Sequence, residues 1–267
     1  MQFETILFER RAQVAHVTLN RPERLNALNR QLATEMSAAA GVIAADPDIR
    51  SVLLTGAGRA FCAGADLLGG DLFADGSESL GKGIGAVMRD SFNPMVHAWF
   101  HLPKPVIVAV NGVAAGAGAS IALLGDIVLA ARSASFLQLF APKLGLMPDL
   151  GGSFLLPRLV GAARAKGLAL LGRSLSAEDA ENWGLIWSCV EDASLMPETE
   201  KIALELASGP SEAYRRIKTV FNDRASQNLA AVLEAEIQHQ SALGDTEDFK
   251  EGVAAFRAKR APRFIGH

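Results

Sequence analysis

Two cysteines, five histidines and a single tyrosine stand in a chain of 267 residues, and these scarcities remove whole classes of function. Cys62 and Cys189 cannot build a disulfide framework, and no CxxC pair or Cys/His cluster offers zinc a ligand set. A reducing, cytoplasmic setting is therefore the default expectation. Positive charge is not in excess either: 26 Lys and Arg against 29 Asp and Glu leave a net charge of −3. That balance excludes a nucleic-acid binder, which needs a basic stripe for the phosphates. The first ten residues, MQFETILFER, carry Glu4 and Glu9 and lack a basic start followed by an apolar run, so no signal peptide is expected. No GxxxxGK(S/T) phosphate loop occurs. Gly56-Ala57-Gly58 and Gly116-Ala117-Gly118 begin like GxGxxG, but Phe61 and Ile121 hold the third glycine's place, which argues against a dinucleotide site.

Long apolar runs are scarce as well. Pro105 to Leu124 is uncharged over a membrane-spanning length and has Gly112 and Gly116 at GxxxG spacing. Asn111-Gly112 is a turn signal that cuts the run in two, and Asp126 follows closely. A buried strand, a tight loop and a buried helix are expected there, with no membrane span.

What is present is an ordinary folded composition, 49% hydrophobic and 21% charged, long enough to bury a substantial core. Ala12–Asn20 alternates as a strand, and Asn29 is a good N-cap for a helix that Pro47 stops. Ser51–Gly56 is a short apolar strand, Leu67–Ser79 a loop, and Ile84–Leu102 a helix. PVIVAV, Pro105 to Val110, is a buried strand and a helix follows from about Gly118. DIVLAA and SASFLQLF read as two further strands. Ser176-Ala177-Glu178-Asp179 has the capping-box pattern, Gly184 ends that helix, and LIWSCVE is a last strand. From Met196 onward the pattern is helical, with breaks at Gly209-Pro210 and Gly244-Asp245. The expected organisation is an α/β core over residues 1–195 and a helical region over residues 196–267.

Several side chains could carry chemistry. GASIA, Gly118 to Ala122, approaches the nucleophile-elbow pattern of serine hydrolases at Ser120. The turn and further residues between Val110 and Ser120 fit that motif poorly, and His239 in a helix interior is a poor partner. His97 and His101 lie at i, i+4 with no third metal ligand near in sequence, and surface histidines are the better account. Two glycine-rich turns, FCAGADL and GVAAGAGAS, follow buried strands. Small residues there let a ligand approach backbone N–H groups, and two N–H groups aimed at one point stabilise a carbonyl that gains enolate charge. Tight core packing is the plain alternative. Asp149, in GLMPDLGGSFLL, has no Lys or Arg within five residues on either side. It is either the N-cap of the helix that begins there or a base in a dry pocket. Local sequence favours the cap, since caps outnumber bases.

Taken together, VAHVTLNRPERLNALN, TGAGRAFCAGADL, KPVIVAVNGVAAGAG, GDIVLAA, LGLMPDLGGSFLLPRLVG, LSAEDAENWGLI and FKEGVAAFRAKRAPRF resemble the enoyl-CoA hydratase/isomerase (crotonase) superfamily along nearly the whole chain. The resemblance implies a spiral of ββα units, C-terminal helices that support a homotrimer or dimer of trimers, and acyl-CoA substrates with no further cofactor. It places the oxyanion hole at the N–H groups of Ala65 and Ala117. It runs the CoA moiety past Arg24, Leu25 and Ala27 and along Ala63, Asp66, Leu67 and Leu68, with Gly116 in the second turn. It sets Lys259 on the nucleotide phosphates of a neighbouring subunit's ligand. The two glutamates of the family's hydratases are replaced by Ser120 and Ala141, which would then line the acyl site. Asp149 matches the aspartate of isomerase branches, including dienoyl-CoA isomerases, and this tips the balance from cap to base.

Overall fold

Three pairs of strand-forming segments, each one long and one short, organise this chain, and the two members of each pair join different sheets. The computed structural model describes residues 3–67, 80–223, 246–258 and 260–267. The first sheet begins with β1 (Ile6–Arg11), antiparallel to β2 (Val14–Leu19). Three strands then follow in parallel: β3 (Ser51–Gly56), β5 (Val106–Val110) and β7 (Ile127–Ala131). The far edge is β10 (Ser188–Val190), parallel to β7. The second sheet holds β4 (Ala60–Cys62), β6 (Val113–Ala115) and β8 (Ser135–Leu137) in parallel, with β9 (Leu175–Ser176) antiparallel at its edge. Each of β3, β5 and β7 thus turns within a few residues into β4, β6 and β8, and the chain winds as a spiral.

The central strands are buried on both faces, which is why β3 and β5 read as continuous apolar runs and not as alternating ones. Helix α1 (Arg30–Ala45) starts as expected: Asn29 Oδ1 accepts from the Leu32 N–H at 2.9 Å. Its buried stripe of Leu32, Ala33, Met36, Ala39, Ala40 and Ile43 faces the core. Helices α2 (Leu80–Val87) and α3 (Asn93–Phe100) are joined by a π turn, Met88–Phe92, so the expected helix starts four residues early. The Trp99 indole N–H ties α3 to α1 through the Met36 carbonyl at 2.9 Å.

Asn111-Gly112 is a turn, as its sequence indicates, and it also stitches neighbouring coils of the spiral. The Asn111 side chain accepts from Gly56 N–H at 3.2 Å and donates to the Gly58 carbonyl at 2.9 Å. The run from Pro105 to Leu124 is therefore β5, the turn, β6 and the short helix α4 (Ala117–Ala122). Among the described residues no helix is long and apolar enough to cross a membrane.

Two differences from the expected elements stand out. SASFLQLF is a strand only as far as Leu137, because Phe140–Leu144 winds into a π turn. Strand β1 stands where no strand was expected; four of its six residues are exposed, so no buried face marks it. Residues 68–79 of the expected loop and the break at Gly244-Asp245 lie outside the described residues. Helix α5 (Gly152–Leu171) bends at Gly161, which has φ +77°. Helix α6 (Ala177–Asn182) is capped by Ser176 Oγ, which accepts from Asp179 N–H at 3.0 Å. Helix α7 (Leu195–Ala207) packs across β3, β5 and β7, where Ser51 Oγ donates to the Ala203 carbonyl at 2.7 Å. Helices α8 (Ser211–Asp223) and α9 (Glu247–Ala258) follow.

Gly118 decides how closely α4 can lie on β4. A methyl group there would sit 2.0 Å from the Cys62 carbonyl oxygen, a backbone atom that cannot swing away. Gly118→Ala is expected to lower stability by at least ~2 kcal/mol. Gly41→Ala, in helix α1 with nothing within 4 Å of the new methyl, is expected to raise it by up to ~1 kcal/mol. Urea unfolding of both variants checks the contrast.

Candidate active site

Leu25 and Asn26 both adopt left-handed backbone, with φ +51° and +56°, a conformation that costs a non-glycine residue about 1 kcal/mol or more. The Asn26 side chain holds it in place. Fully buried, it donates to the Ala57 and Ala60 carbonyls at 2.9 and 2.8 Å and accepts from Arg21 N–H at 2.9 Å. The chain then runs alongside the first glycine turn: Ala63 N–H donates to Leu25 O, Leu28 N–H to Gly64 O, and Asp66 N–H to Leu28 O. In this parallel pairing Leu28 bonds to the residues on either side of Ala65. The Ala65 N–H is left without a carbonyl acceptor among the described residues.

The second glycine turn meets the first. Gly64 has φ +105°, and a methyl on it would lie 3.0 Å from the Ala115 carbonyl and 3.9 Å from the Ala117 nitrogen. Gly116, at φ +52°, turns the chain into α4, so Ala117 contributes the first N–H of a helix, which has no partner within the helix. Two N–H groups in touching turns can together receive an oxygen that gains negative charge.

Asp149 completes the site. Leu150 and Gly151, at φ +48° and +81°, bend the chain into α5. The cap reading of Asp149 fails: the N-cap is Gly151, and no side chain caps that helix. The carboxyl Oδ1 is buried with no hydrogen-bond partner. Burial pushes the carboxyl from 3.8 up to about 6, with its own backbone N–H pulling weakly the other way. The backbone oxygen of Asp149 is well held, accepting from Ser120 Oγ at 2.9 Å and Gly152 N–H at 2.8 Å. Apolar groups from α3 and α5 close in: Val96 and Leu155 lie 3.7 and 3.8 Å from where a Gly151 side chain would begin.

Residues 9–267 match the family model described as enoyl-CoA hydratase/isomerase. The chain belongs to that family. It is 47% identical over 263 residues to the 1,2-epoxyphenylacetyl-CoA isomerase of Escherichia coli, covering 98% of this chain and 99% of that one. It is 44% identical to a Rhodobacter capsulatus protein named "Probable enoyl-CoA hydratase", with full coverage of both (100% and 100%). The enoyl-CoA hydratase structure from Bacillus anthracis superposes with a TM-score of 0.90 at 33% identity, covering 99% of this chain and 100% of that one. The crotonase-like fold expected from the sequence is thus the fold observed, and the chain is an enzyme of the enoyl-CoA hydratase/isomerase family.

Within this family member, the residues singled out from sequence fall into three groups. Ala63, Ala65, Gly116, Ala117 and Asp149 come together around the two turns and the acid loop, with Leu25 and Ala27 beside them. Arg24 and Leu67 are exposed at the same edge. Ala141 lies in the π turn behind Phe140, whose ring sits 3.6 Å from where a Gly116 side chain would begin. Two expectations change. Asp66 is 5% exposed and its carboxylate meets the Arg21 guanidinium at 2.7 Å, so the pair braces the Leu25–Leu28 segment from inside and does not line a ligand path. Ser120 has no exposed surface and donates to the Asp149 carbonyl, a poor arrangement for a nucleophile or a ligand contact. Leu68 and Lys259 lie outside the described residues. Sequence reading missed Arg21 and Asn26. The only available signal was that Asn tolerates left-handed backbone better than other side chains. Among the described residues no three His, Cys, Asp or Glu side chains are grouped to hold a metal, and His97 and His101 stack on each other at 6.0 Å.

The raised proton affinity of Asp149 has a thermodynamic signature. The fold holds this proton more tightly than the unfolded chain does, so its stability falls as pH rises from 3.8 through about 6 and then levels. Ionised Asp149 weakens the fold by at most roughly 3 kcal/mol. The melting temperature of Asp149→Asn relative to wild type is expected to climb between pH 4 and 6 and stay constant above. A flat difference would mean that the carboxyl is not desolvated.

Proposed function

We propose that the protein is an acyl-CoA isomerase that acts on ring-epoxidised phenylacetyl-CoA, with Asp149 as the only acid–base group. The observation that carries this reading is a single half-buried carboxylate whose Oδ1 has no hydrogen-bond partner, beside two turns whose Ala65 and Ala117 N–H groups have no backbone acceptor among the described residues. Asp149 takes a proton from the carbon next to the thioester carbonyl. The N–H groups of Ala65 and Ala117 hold the enolate oxygen. The C–C bond shared by the epoxide and the six-membered ring opens to give the seven-membered oxepin, and the proton returns to a ring carbon of the acyl group, so the reaction is balanced without water. Hydration needs a second group to hold and activate water, and Ser120 and Ala141 stand where hydratases carry that pair of glutamates. The 47% identity to an epoxyphenylacetyl-CoA isomerase supports the aromatic substrate.

In this reading CoA lies along Arg24, Leu25, Ala27 and Ala63; the resemblance adds Leu68 to that set and assigns Lys259 to the nucleotide phosphates of a neighbouring subunit's ligand. It is the only cofactor-like group and arrives as part of the substrate. The protein works in the cytoplasm as a homotrimer or dimer of trimers, with a core over residues 1–195 and a helical assembly region over residues 196–267.

A panel of epoxyphenylacetyl-, cis-3-enoyl- and crotonyl-CoA, with products identified by NMR, tests the reaction. Isomerisation of the epoxide with slow crotonyl-CoA hydration is expected. Asp149→Asn should fold, bind CoA thioesters and lose at least ~100-fold in isomerisation. Because the base acts ionised, kcat/KM should rise with pH to about 6 and level above it. Fast hydration by wild type, or near-normal isomerisation by Asp149→Asn, refutes the assignment.

A further inference from the structure

We infer that Ser120 is a positioning residue that locks the acid loop to the oxyanion-hole helix. The inference rests on Asp149 being the base. Helix α4 is six residues long, yet both halves of the site hang on it. Its first residue, Ala117, presents an N–H group at the glycine turns. Its fourth, Ser120, points its hydroxyl at the acid loop and donates to the Asp149 carbonyl at 2.9 Å. Three residues of helix rise only about 4.5 Å, so α4 sets the spacing between the oxygen-binding N–H groups and the acid.

The loop has been shaped around that hydroxyl. Gly152 lies so close that a methyl group on it would be 2.6 Å from Ser120 Oγ. Gly152 also donates its N–H to the same Asp149 carbonyl at 2.8 Å, so this carbonyl is held from two sides. The backbone is therefore pinned while the carboxyl Oδ1 is left with no partner. No charged side chain acts appreciably on Asp149, and its high proton affinity comes from burial alone. Keeping it buried is a matter of keeping the loop in place. A carboxylate able to swing outward would find water, lose its raised proton affinity and miss the substrate carbon.

Removing the hydroxyl should thus alter chemistry more than binding. In Ser120→Ala, kcat is expected to fall roughly 10- to 100-fold with KM little changed. The acid limb of the kcat profile should move below its wild-type position, since the freed carboxyl reaches solvent. The double variant Ser120→Ala/Gly152→Ala separates hydrogen bonding from space filling. With the hydroxyl gone, the new methyl would rest 3.7 Å from the Cβ of residue 120 and 3.5 Å from Pro148 Cβ, ordinary contact distances that refill the gap. It should remain as impaired as the single variant.

Epoxyphenylacetyl-CoA isomerisation, its pH profile and thermal melts for wild type, Ser120→Ala, the double variant and Asp149→Asn make up the experiment. Wild-type kcat and an unmoved acid limb in Ser120→Ala, beside an inactive Asp149→Asn, would overturn the role of Ser120 and spare that of Asp149. Recovery in the double variant would reduce Ser120 to filler and overturn it equally. If neither Ser120 variant folds, the residue is structural and the inference fails. An active Asp149→Asn removes the underlying reading itself.

Discussion

Contact between two backbone turns is the constraint on which the rest of this molecule depends. The turn at Gly64 and the turn at Gly116 can touch because Gly64 and Gly118 add no side chain against the facing backbone, while Gly116 supplies the left-handed bend at φ +52°. That contact fixes the position of α4 and, through it, of everything α4 carries. The spiral of paired strands supplies the rigidity: β4 and β6 run in parallel a few residues upstream of the two turns and hold them in register. Asn26 and the buried Arg21–Asp66 pair then brace the remaining side, so that strained left-handed backbone at Leu25 is retained in the folded state.

Against that rigid frame, Asp149 is a group that the fold tolerates without satisfying. A buried carboxyl oxygen without a hydrogen-bond partner, as at Asp149 Oδ1, runs against the general rule for polar groups. The same dryness that weakens the fold gives the acid an affinity for protons near neutrality, where a shuttle works best. Stability and reactivity are opposed here at a single side chain, and the surrounding backbone bonds keep the compromise in one geometry.

Much of this was legible in the sequence, for reasons that differ by element. Asn29 and Ser176 declare their helices because a cap is a local event between residues three apart. The strands β3, β5 and β7 announce themselves through β-branched apolar runs that only a doubly covered sheet can bury. Asn111-Gly112 was readable as a turn, though not as a stitch, since its partners Gly56 and Gly58 are more than fifty positions away. Asp149 was ambiguous in its local context, which cap and base share; the family resemblance favoured base, and Gly151 taking the cap position removes the cap reading. Arg21, Asn26 and the hydrogen bond from Ser120 to the acid loop were out of reach. Each acts through a contact with backbone that tertiary folding alone brings near, and β1 hid because its exposed face carries no periodic signal.

In the proposed reading the oxygen-binding half of the site is built wholly from main chain, and this gives it an unusual form of heredity. No side chain at Ala65 or Ala117 takes part, so nothing in the identity of those two residues encodes what they do. The information resides in neighbouring glycines: a side chain at Gly64 or Gly118 meets backbone, and Gly116 holds a left-handed bend. The acid half is the reverse, written in side chains that extend from the same scaffold and can be exchanged one at a time. Ser120, Ala141 and Asp149 stand at three such addresses. A lineage built on this fold can therefore rewrite where protons go while inheriting the charge-stabilising half intact.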